Sequence, residues 1–313
     1  MSTGSRPSSG AAGAPNGAGS SNGAANGAGS TGATGSRGSN GSTTNASSSR
    51  SRASRYGGAP GHILITGAAG AIGSALARSM RGAWPTTELA LVDRDEAALQ
   101  TLAAELGDAT PYIADLRDIA ALPALVRRVE QAGPIEGLVN CAGIMRVQHV
   151  ASWKWEDAHD LVTIDLLAPL RLQDLVVRGM VERGHGLLVN VASMAGKVPL
   201  RGCTYYGASK AGLAMASEIA RADLGGRGIQ VITVYPGPVK SALEAGARAD
   251  YGGGGLFAKI APTGDAGELA RRIMRAIADD EPRVIYPRVY NLGWTAPNLS
   301  RWITLSYGPP PIT

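Results

Sequence analysis

Tyr206 and Lys210, in Tyr205-Tyr206-Gly207-Ala208-Ser209-Lys210, stand four residues apart, so on a helix their side chains share one face. A phenol and an ammonium so placed can work as a proton-transfer pair. The phenol titrates near 10 when unperturbed, and an ammonium within about 4–6 Å favours the phenolate and lowers that value by roughly 1–3 pH units. Ser193 lies thirteen residues earlier, where the apolar run Leu188-Val189-Asn190-Val191-Ala192 gives way to Met194-Ala195-Gly196. Strand ends of that kind are where α/β proteins place ligands. Tyr-x-x-x-Lys alone also describes a surface pair on any amphipathic helix, so its meaning depends on the surrounding elements.

Upstream, His62-Ile63-Leu64-Ile65-Thr66 reads as a buried strand, followed at once by Gly67-Ala68-Ala69-Gly70-Ala71-Ile72-Gly73 and a helical stretch. Glycines there let the backbone turn tightly and approach a pyrophosphate, which meets the free N–H groups of a helix start. A strand-to-helix turn with no ligand is the alternative. About twenty residues past Gly73, Glu88-Leu89-Ala90-Leu91-Val92 ends on Asp93, an acid placed to hold a ribose diol. Strands near 62–66, 88–92, 111–114, 135–140, 186–192, 229–235 and 283–286 alternate with helical stretches such as 96–106 and 119–132. That alternation predicts an α/β fold: a Rossmann-type doubly wound parallel sheet with helices on both faces, in a single domain. Thr66, Asp93, Asp115, Asn140, Ser193 and Pro236 each follow an apolar run, the shared placement at which such a sheet binds its ligand.

With these residues in place, the chain resembles the short-chain dehydrogenase/reductase family from about residue 60 to about residue 287. The resemblance rests on the glycine turn 66–73, Asp115-Leu116, Asn140-Cys141-Ala142-Gly143, Ser193, Tyr206 with Lys210, and Pro236-Gly237-Pro238-Val239. It implies Tyr206 as general acid or base, Lys210 as modulator of its pKa and ligand of the nicotinamide ribose, and Ser193 as the donor that fixes the substrate oxygen. Cofactor contacts are implied for Gly67, Gly70, Ile72, Gly73, Asp93, Arg94, Asp115, Leu116, Asn140, Ala142, Gly143, Tyr206, Lys210, Pro236, Gly237 and Val239.

Two departures stand out. The glycine spacing of 66–73 matches the family's extended branch, whereas the other motifs match the classical one, so Ala71 replaces a middle glycine. Asp165, in Val162-Thr163-Ile164-Asp165-Leu166-Leu167-Ala168-Pro169, stands where most classical members carry an asparagine that holds a relay water. A carboxylate near Lys210 would raise the lysine's pKa and offset its pull on Tyr206, making Asp165 a further catalytic candidate. Alternatively, Asp165 caps or kinks its own helix.

The implied reaction is hydride transfer between a secondary alcohol and a ketone, with a small-molecule alcohol or carbonyl as substrate. NAD is the expected cofactor, because Asp93 would repel the extra phosphate of NADP and the glycine loop holds no base; Arg94 leaves NADP open. A non-catalytic dinucleotide-binding sensor or scaffold is the competing reading. A nucleotide-sugar epimerase or dehydratase is suggested only by the glycine spacing, and the roughly seventy residues after Ser241 are few for its larger substrate domain.

Of 313 residues, 44% are hydrophobic, enough for one substantial core. Residues 1–58 contain no Val, Leu, Ile, Phe or Trp and read as a disordered tail. The domain is expected over 59–290, with a substrate loop at 241–262 and a C-terminal extension at 291–313. The tail holds five arginines and no acid, which leaves 25 bases against the 25 acids elsewhere. The pI near 9.4 therefore belongs to the tail, and no nucleic-acid surface is expected on the domain. No eighteen-residue apolar run and no signal-type stretch are present, so no membrane span and a cytoplasmic location are expected.

Cys141 and Cys203 are too few for a disulfide framework and read as small buried hydrophobes or pocket-lining thiols. His62, His149, His159 and His185 show no metal spacing, and no metal is predicted. Met145, Met194, Val198-Pro199-Leu200 and 241–262, with four consecutive glycines at 252–255, suggest an apolar pocket under either a lid or a plain flexible loop. Trp294 to Trp302 would pack over that pocket, dock on a partner subunit or lie on a membrane surface. Helices 158–182 and 205–224 are the candidates for pairing subunits in a homodimer or homotetramer, as the family commonly does.

Overall fold

Seven strands form one sheet in the order β3-β2-β1-β4-β5-β6-β7, and every neighbouring pair is parallel. The computed structural model describes residues 58–251 and 262–311, all within one compact unit, Arg50–Thr313. The strands are β1 (His62–Thr66), β2 (Glu88–Asp93), β3 (Ala109–Ile113), β4 (Gly137–Asn140), β5 (Gly186–Val191), β6 (Ile229–Pro236) and β7 (Arg283–Tyr286). All seven fall where the apolar runs place them. The tail expected over 1–58, Gly58 apart, and the glycine run 252–255 lie outside the described residues.

The helices are α1 (Ala71–Ala83), α2 (Glu96–Leu106), α3 (Leu122–Val129), α4 (Trp155–Val162), α5 (Ala168–Arg183), α6 (Thr204–Leu224), α7 (Ala242–Asp250), α8 (Ala266–Ala278), α9 (Asn291–Thr295) and α10 (Pro297–Tyr307). They cover both faces of the sheet. Alternation along β1 shows this directly: Ile63 and Ile65 join α1 and α8 in one core, while Leu64 joins α3 and α5 in the other. Side-chain caps start several helices, with Asp95 accepting from the Ala98 N–H, Ser241 from Glu244 and Asp265 from Glu268.

The helix expected over 158–182 is present, running without a break from 155 to 183, but it is not regular throughout. α4 and α5 are joined by a π-helical turn, Thr163–Leu167, just before Pro169, which has no N–H to give a regular ladder. That wider turn carries Asp165, fully buried. The stretch expected over 119–132 likewise opens and closes in tighter turns, Ile119–Ala121 and Glu130–Ala132, around α3. Among the described residues no helix is long and apolar enough to cross a membrane, and no three His, Cys, Asp or Glu side chains gather as a metal site.

Candidate active site

The sheet order reverses between β1 and β4, and the first loop after β1 is held against the loop after β4. Thr66 Oγ1 accepts from the N–H groups of Cys141 and Ala142 at 3.1 and 3.2 Å, and donates to the Val139 carbonyl. Gly67 follows with φ +64, and a Cβ there would fall 2.6 Å from Ala142 Cα, so only glycine fits both the turn and the neighbouring backbone. Gly70 caps α1, donating to the Gly67 carbonyl at 3.0 Å, and Ile72 and Gly73 lie in its first turn. The first N–H groups of α1 have no partner within their own helix.

Asp93, the last residue of β2, is tied to the same turn. Its Oδ2 accepts from Ala69 N–H at 3.0 Å, and its Oδ1 from Arg94 and Asp95 at 2.7 and 3.1 Å. A carboxylate offers about four acceptor positions, so three N–H groups leave it about one for a hydroxyl donor.

α6 carries Tyr206 and Lys210, both buried, at 8% and 4% exposure. Lys210 Nζ donates to the Val191 carbonyl at 3.2 Å, and Asp165 Oδ2 is 3.5 Å away. A Cβ on Gly143 would come within 3.1 Å of that Nζ and 3.4 Å of Asp165 Oδ1. Gly143 is thus where the β4 loop presses on the α6 lysine. Asp165 Oδ1 accepts from Ile144 N–H at 2.8 Å, so Asp165 holds the β4 loop and the lysine together instead of capping its own helix.

Ser193 lies two residues past β5, beside Tyr206; its Oγ accepts from Ala195 N–H at 3.1 Å and donates to the Pro236 carbonyl at 3.5 Å. At the phenol, burial outweighs the pull that the spacing assigns to Lys210. Lys210 Nζ lies 6.0 Å from the Tyr206 ring centroid and beside Asp165, and burial pushes the phenol's pKa up, not down. The Asp165 charge adds to that rise, and only the Ser193 hydrogen bond opposes it. Asp165 is itself pushed up by burial, against the pull of Lys210 and of the Ile144 N–H.

Other expected residues are placed less directly. Asn140 Nδ2 donates to Asn190 Oδ1 at 2.8 Å and to the Pro169 carbonyl, beginning a buried polar chain that continues through Ser217 to Thr233. Its side chain therefore serves the inside of the fold. Asn190, Ser217 and Thr233 were missed from sequence; Asn190, a polar residue inside an apolar strand, was the available signal. Asp115 pairs with Arg117, whose guanidinium holds that carboxyl below its usual range, and Leu116 is buried. Gly237 N–H donates to the Tyr286 carbonyl, and the Val239 side chain packs into the core beside α8.

The single apolar pocket expected from Met145, Met194 and 198–200 is two clusters, both built on residues at or next to the Ser193 and Tyr206 positions. Met145 and Leu200 pack with Tyr205, Tyr206, Trp153 and Tyr251, whereas Met194 and Val198 pack with Tyr235 and Trp294. Trp294 meets the Tyr235 ring edge-on at 5.3 Å, so α9 covers the Met194 side. Both cysteines are free; burial raises Cys141 to about 12 and Cys203 to about 11, with Tyr251 Oη 3.5 Å from the Cys203 sulfur. His149 is exposed and accepts from the Ala151 N–H.

A family model described as short chain dehydrogenase matches residues 61–252. The chain is similar to the ketoacyl reductase HetN of Nostoc sp., at 34% identity over 182 residues, 56% of this chain and 63% of that protein. It is also similar to D-threitol dehydrogenase of Mycolicibacterium smegmatis, at 34% identity over 207 residues, 64% of this chain and 78% of that protein. Among solved structures, a short-chain dehydrogenase from Sphingobium yanoikuyae in complex with NADPH aligns with a TM-score of 0.64 at 28% identity, covering 78% of this chain and 95% of that one.

Proposed function

The chain belongs to the short-chain dehydrogenase/reductase family, and on that premise we propose that it is an NAD-dependent oxidoreductase interconverting a secondary alcohol and a ketone. The observation that carries the reading is Tyr206 beside Ser193, with Lys210 one turn along the same helix and set against Gly143 of the β4 loop that also packs against the glycine turn. The names ketoacyl reductase and dehydrogenase borne by the relatives fall within that reaction class.

A dinucleotide fits the residues present. Gly67 lacks the Cβ that would fill the turn, the start of α1 offers unpaired N–H groups to a pyrophosphate, and Asp93 keeps room for one ribose hydroxyl. When bound, the nicotinamide supplies or takes up the hydride. Tyr206 then gives its proton to the carbonyl oxygen in reduction, or accepts the alcohol's proton in oxidation. Ser193 donates to the same oxygen and stabilises charge as it develops there. Because burial keeps the phenol protonated at neutral pH, Tyr206 enters as the acid, and reduction of a ketone is the direction we assign. NAD is favoured over NADP by the Asp93 carboxylate, which repels a 2′-phosphate.

The same ion pair supports one second reading, a dinucleotide-binding sensor, since Asp165 draws on the lysine that would activate Tyr206. One experiment separates the two: NADH oxidation with a panel of ketones, beside NAD binding by calorimetry. Turnover that disappears in Tyr206→Phe while NAD binding persists supports the enzyme. Parental rates in that variant would overturn the assignment of the acid, and tight binding without turnover by the parent would favour the sensor.

We also assign pairing of two copies to α5 and α6. Met215 and Ile219 on α6, and Leu167 just before α5, are large apolar side chains left between 43% and 64% exposed. A monomeric mass by light scattering would refute the pairing.

A further inference from the structure

At the C-terminal end of the described residues the usual orientation of a surface helix is reversed. α10 turns Ser300 and Thr304 inward, at 8% and 9% exposure, with the Thr304 hydroxyl donating to the Ser300 carbonyl at 3.0 Å. Leu299, Trp302 and Leu305, three residues apart in turn, run along its outer side, and Tyr307 stacks edge-on against Trp302 at 5.3 Å. Val289 and Leu292 extend the apolar surface, and all six of these side chains are 44–64% exposed. An outward apolar stripe of this extent needs a cover.

Charge decides what the cover is. From residue 282 to residue 313 the sequence contains Arg283, Arg288 and Arg301 and no acid. Beside the stripe lies a cavity of about 270 Å³, lined by Arg272, Arg275, Arg283 and Arg288 together with Glu281 and Asn291. Arg283 also stacks on Trp294, at the end of α9, 4.4 Å from the ring centroid. Arg272 is paired with Glu268 at 2.9 Å, whereas Arg275, Arg288 and Arg301 form no ion pair with any described residue. A second copy of this chain meeting the stripe about a two-fold axis would bring like arginine clusters together. An anionic lipid surface neutralises them.

We propose that Val289 to Tyr307 docks in the interface of an anionic bilayer, with Leu299, Trp302 and Leu305 entering the boundary of the acyl chains and the arginine cavity receiving a lipid phosphate. The chemistry is that of a peripheral amphipathic helix: aromatic and leucine side chains on the lipid side, arginines at the rim. Such docking adds no membrane span and is independent of hydride transfer.

The test uses the full chain in flotation assays with vesicles of phosphatidylcholine alone and vesicles in which about a third of the lipid is phosphatidylglycerol. Binding to the anionic vesicles only is expected. It should fall about tenfold in Trp302→Ser with Leu305→Ser, and about fivefold per arginine in Arg288→Ser with Arg301→Ser. Quenching of the parental tryptophan fluorescence by lipids brominated in the acyl chain provides a readout that needs no variant to fold. Equal binding to both vesicle types, undiminished binding by the two variants, or absent quenching would each overturn the proposal. So would loss of a dimer in the Trp302→Ser, Leu305→Ser variant with vesicle binding unchanged, which would assign the stripe to a second copy. Capture of inorganic phosphate without vesicle binding would leave only a phosphate pocket and likewise refute the docking.

Discussion

Asp165 Oδ2 lies 3.5 Å from Lys210 Nζ, with both side chains buried, and the same carboxylate adds to the rise that burial gives the pKa of the Tyr206 phenol. The lysine's field is therefore divided between an acid that needs it and a phenol that would use it. Oxidation of an alcohol requires the phenolate, whose population grows only as pH climbs toward a raised pKa, whereas reduction uses the protonated phenol.

Replacing Asp165 by asparagine keeps an oxygen for the Ile144 N–H and removes the negative charge. The sign follows: without that charge the phenol ionises more easily, so the pH profile of kcat/KM for oxidation moves to lower pH. A profile measured from neutral to alkaline pH that stays in place, or moves up, would refute the coupling.

Ser193→Ala leaves the phenol in place and removes one donor to the substrate oxygen. A single such donor is worth about 10²–10³ in kcat, and the variant should lose that much with NAD binding unchanged by calorimetry. A loss confined to KM would mean that Ser193 holds substrate and transition state equally.

The fold was open to reading because the inner strands of a doubly wound parallel sheet are continuous apolar runs buried on both faces, as β1, β5 and β6 are, whereas the edge strands β3 and β7 are only partly buried. The glycine turn and Asp93 were visible as a spacing, and the structure ties them together through the Ala69 N–H. What the spacing of Tyr206 and Lys210 could not convey was competition. A four-residue interval places two side chains on one face, but the partner that captures the ammonium comes from a π-helical turn forty-five positions upstream, in a stretch whose periodicity read as one helix. The inward Asn140 was hidden for a similar reason: its partner Asn190 is fifty residues away in sequence and adjacent only through the pairing of β4 with β5.

Asp93 supplies a test of cofactor choice. The parent should show a kcat/KM for NADH at least about tenfold above that for NADPH, since a carboxylate beside a phosphate disfavours binding. Asp93→Ser should narrow that ratio, and it should also lower the melting temperature because the Ala69 and Asp95 N–H groups lose their anionic acceptor. A parent that prefers NADPH would overturn the argument from charge.

Stability should fall on the alkaline side. Cys203, buried, has its pKa raised from 9.0 to about 11, and Tyr206, Tyr235 and Tyr251 are all raised from 10.0, burial being the leading cause in each. A raised value means that the folded state holds the proton more tightly than the unfolded chain does, so the contribution is complete below the unfolded value and is lost as pH rises through the folded one. Loss therefore begins near pH 9 with the two thiols, Cys141 being raised to about 12 as well, and deepens above pH 10 as the phenols follow. For Cys203 alone the change amounts to roughly 3 kcal/mol at full ionisation. Urea unfolding at a series of pH values from 8 upward should show the decline, and Cys203→Ala should make its first part shallower while the Cys141 share remains; a profile flat to pH 11 would show that these groups ionise as easily in the folded chain as in the unfolded one.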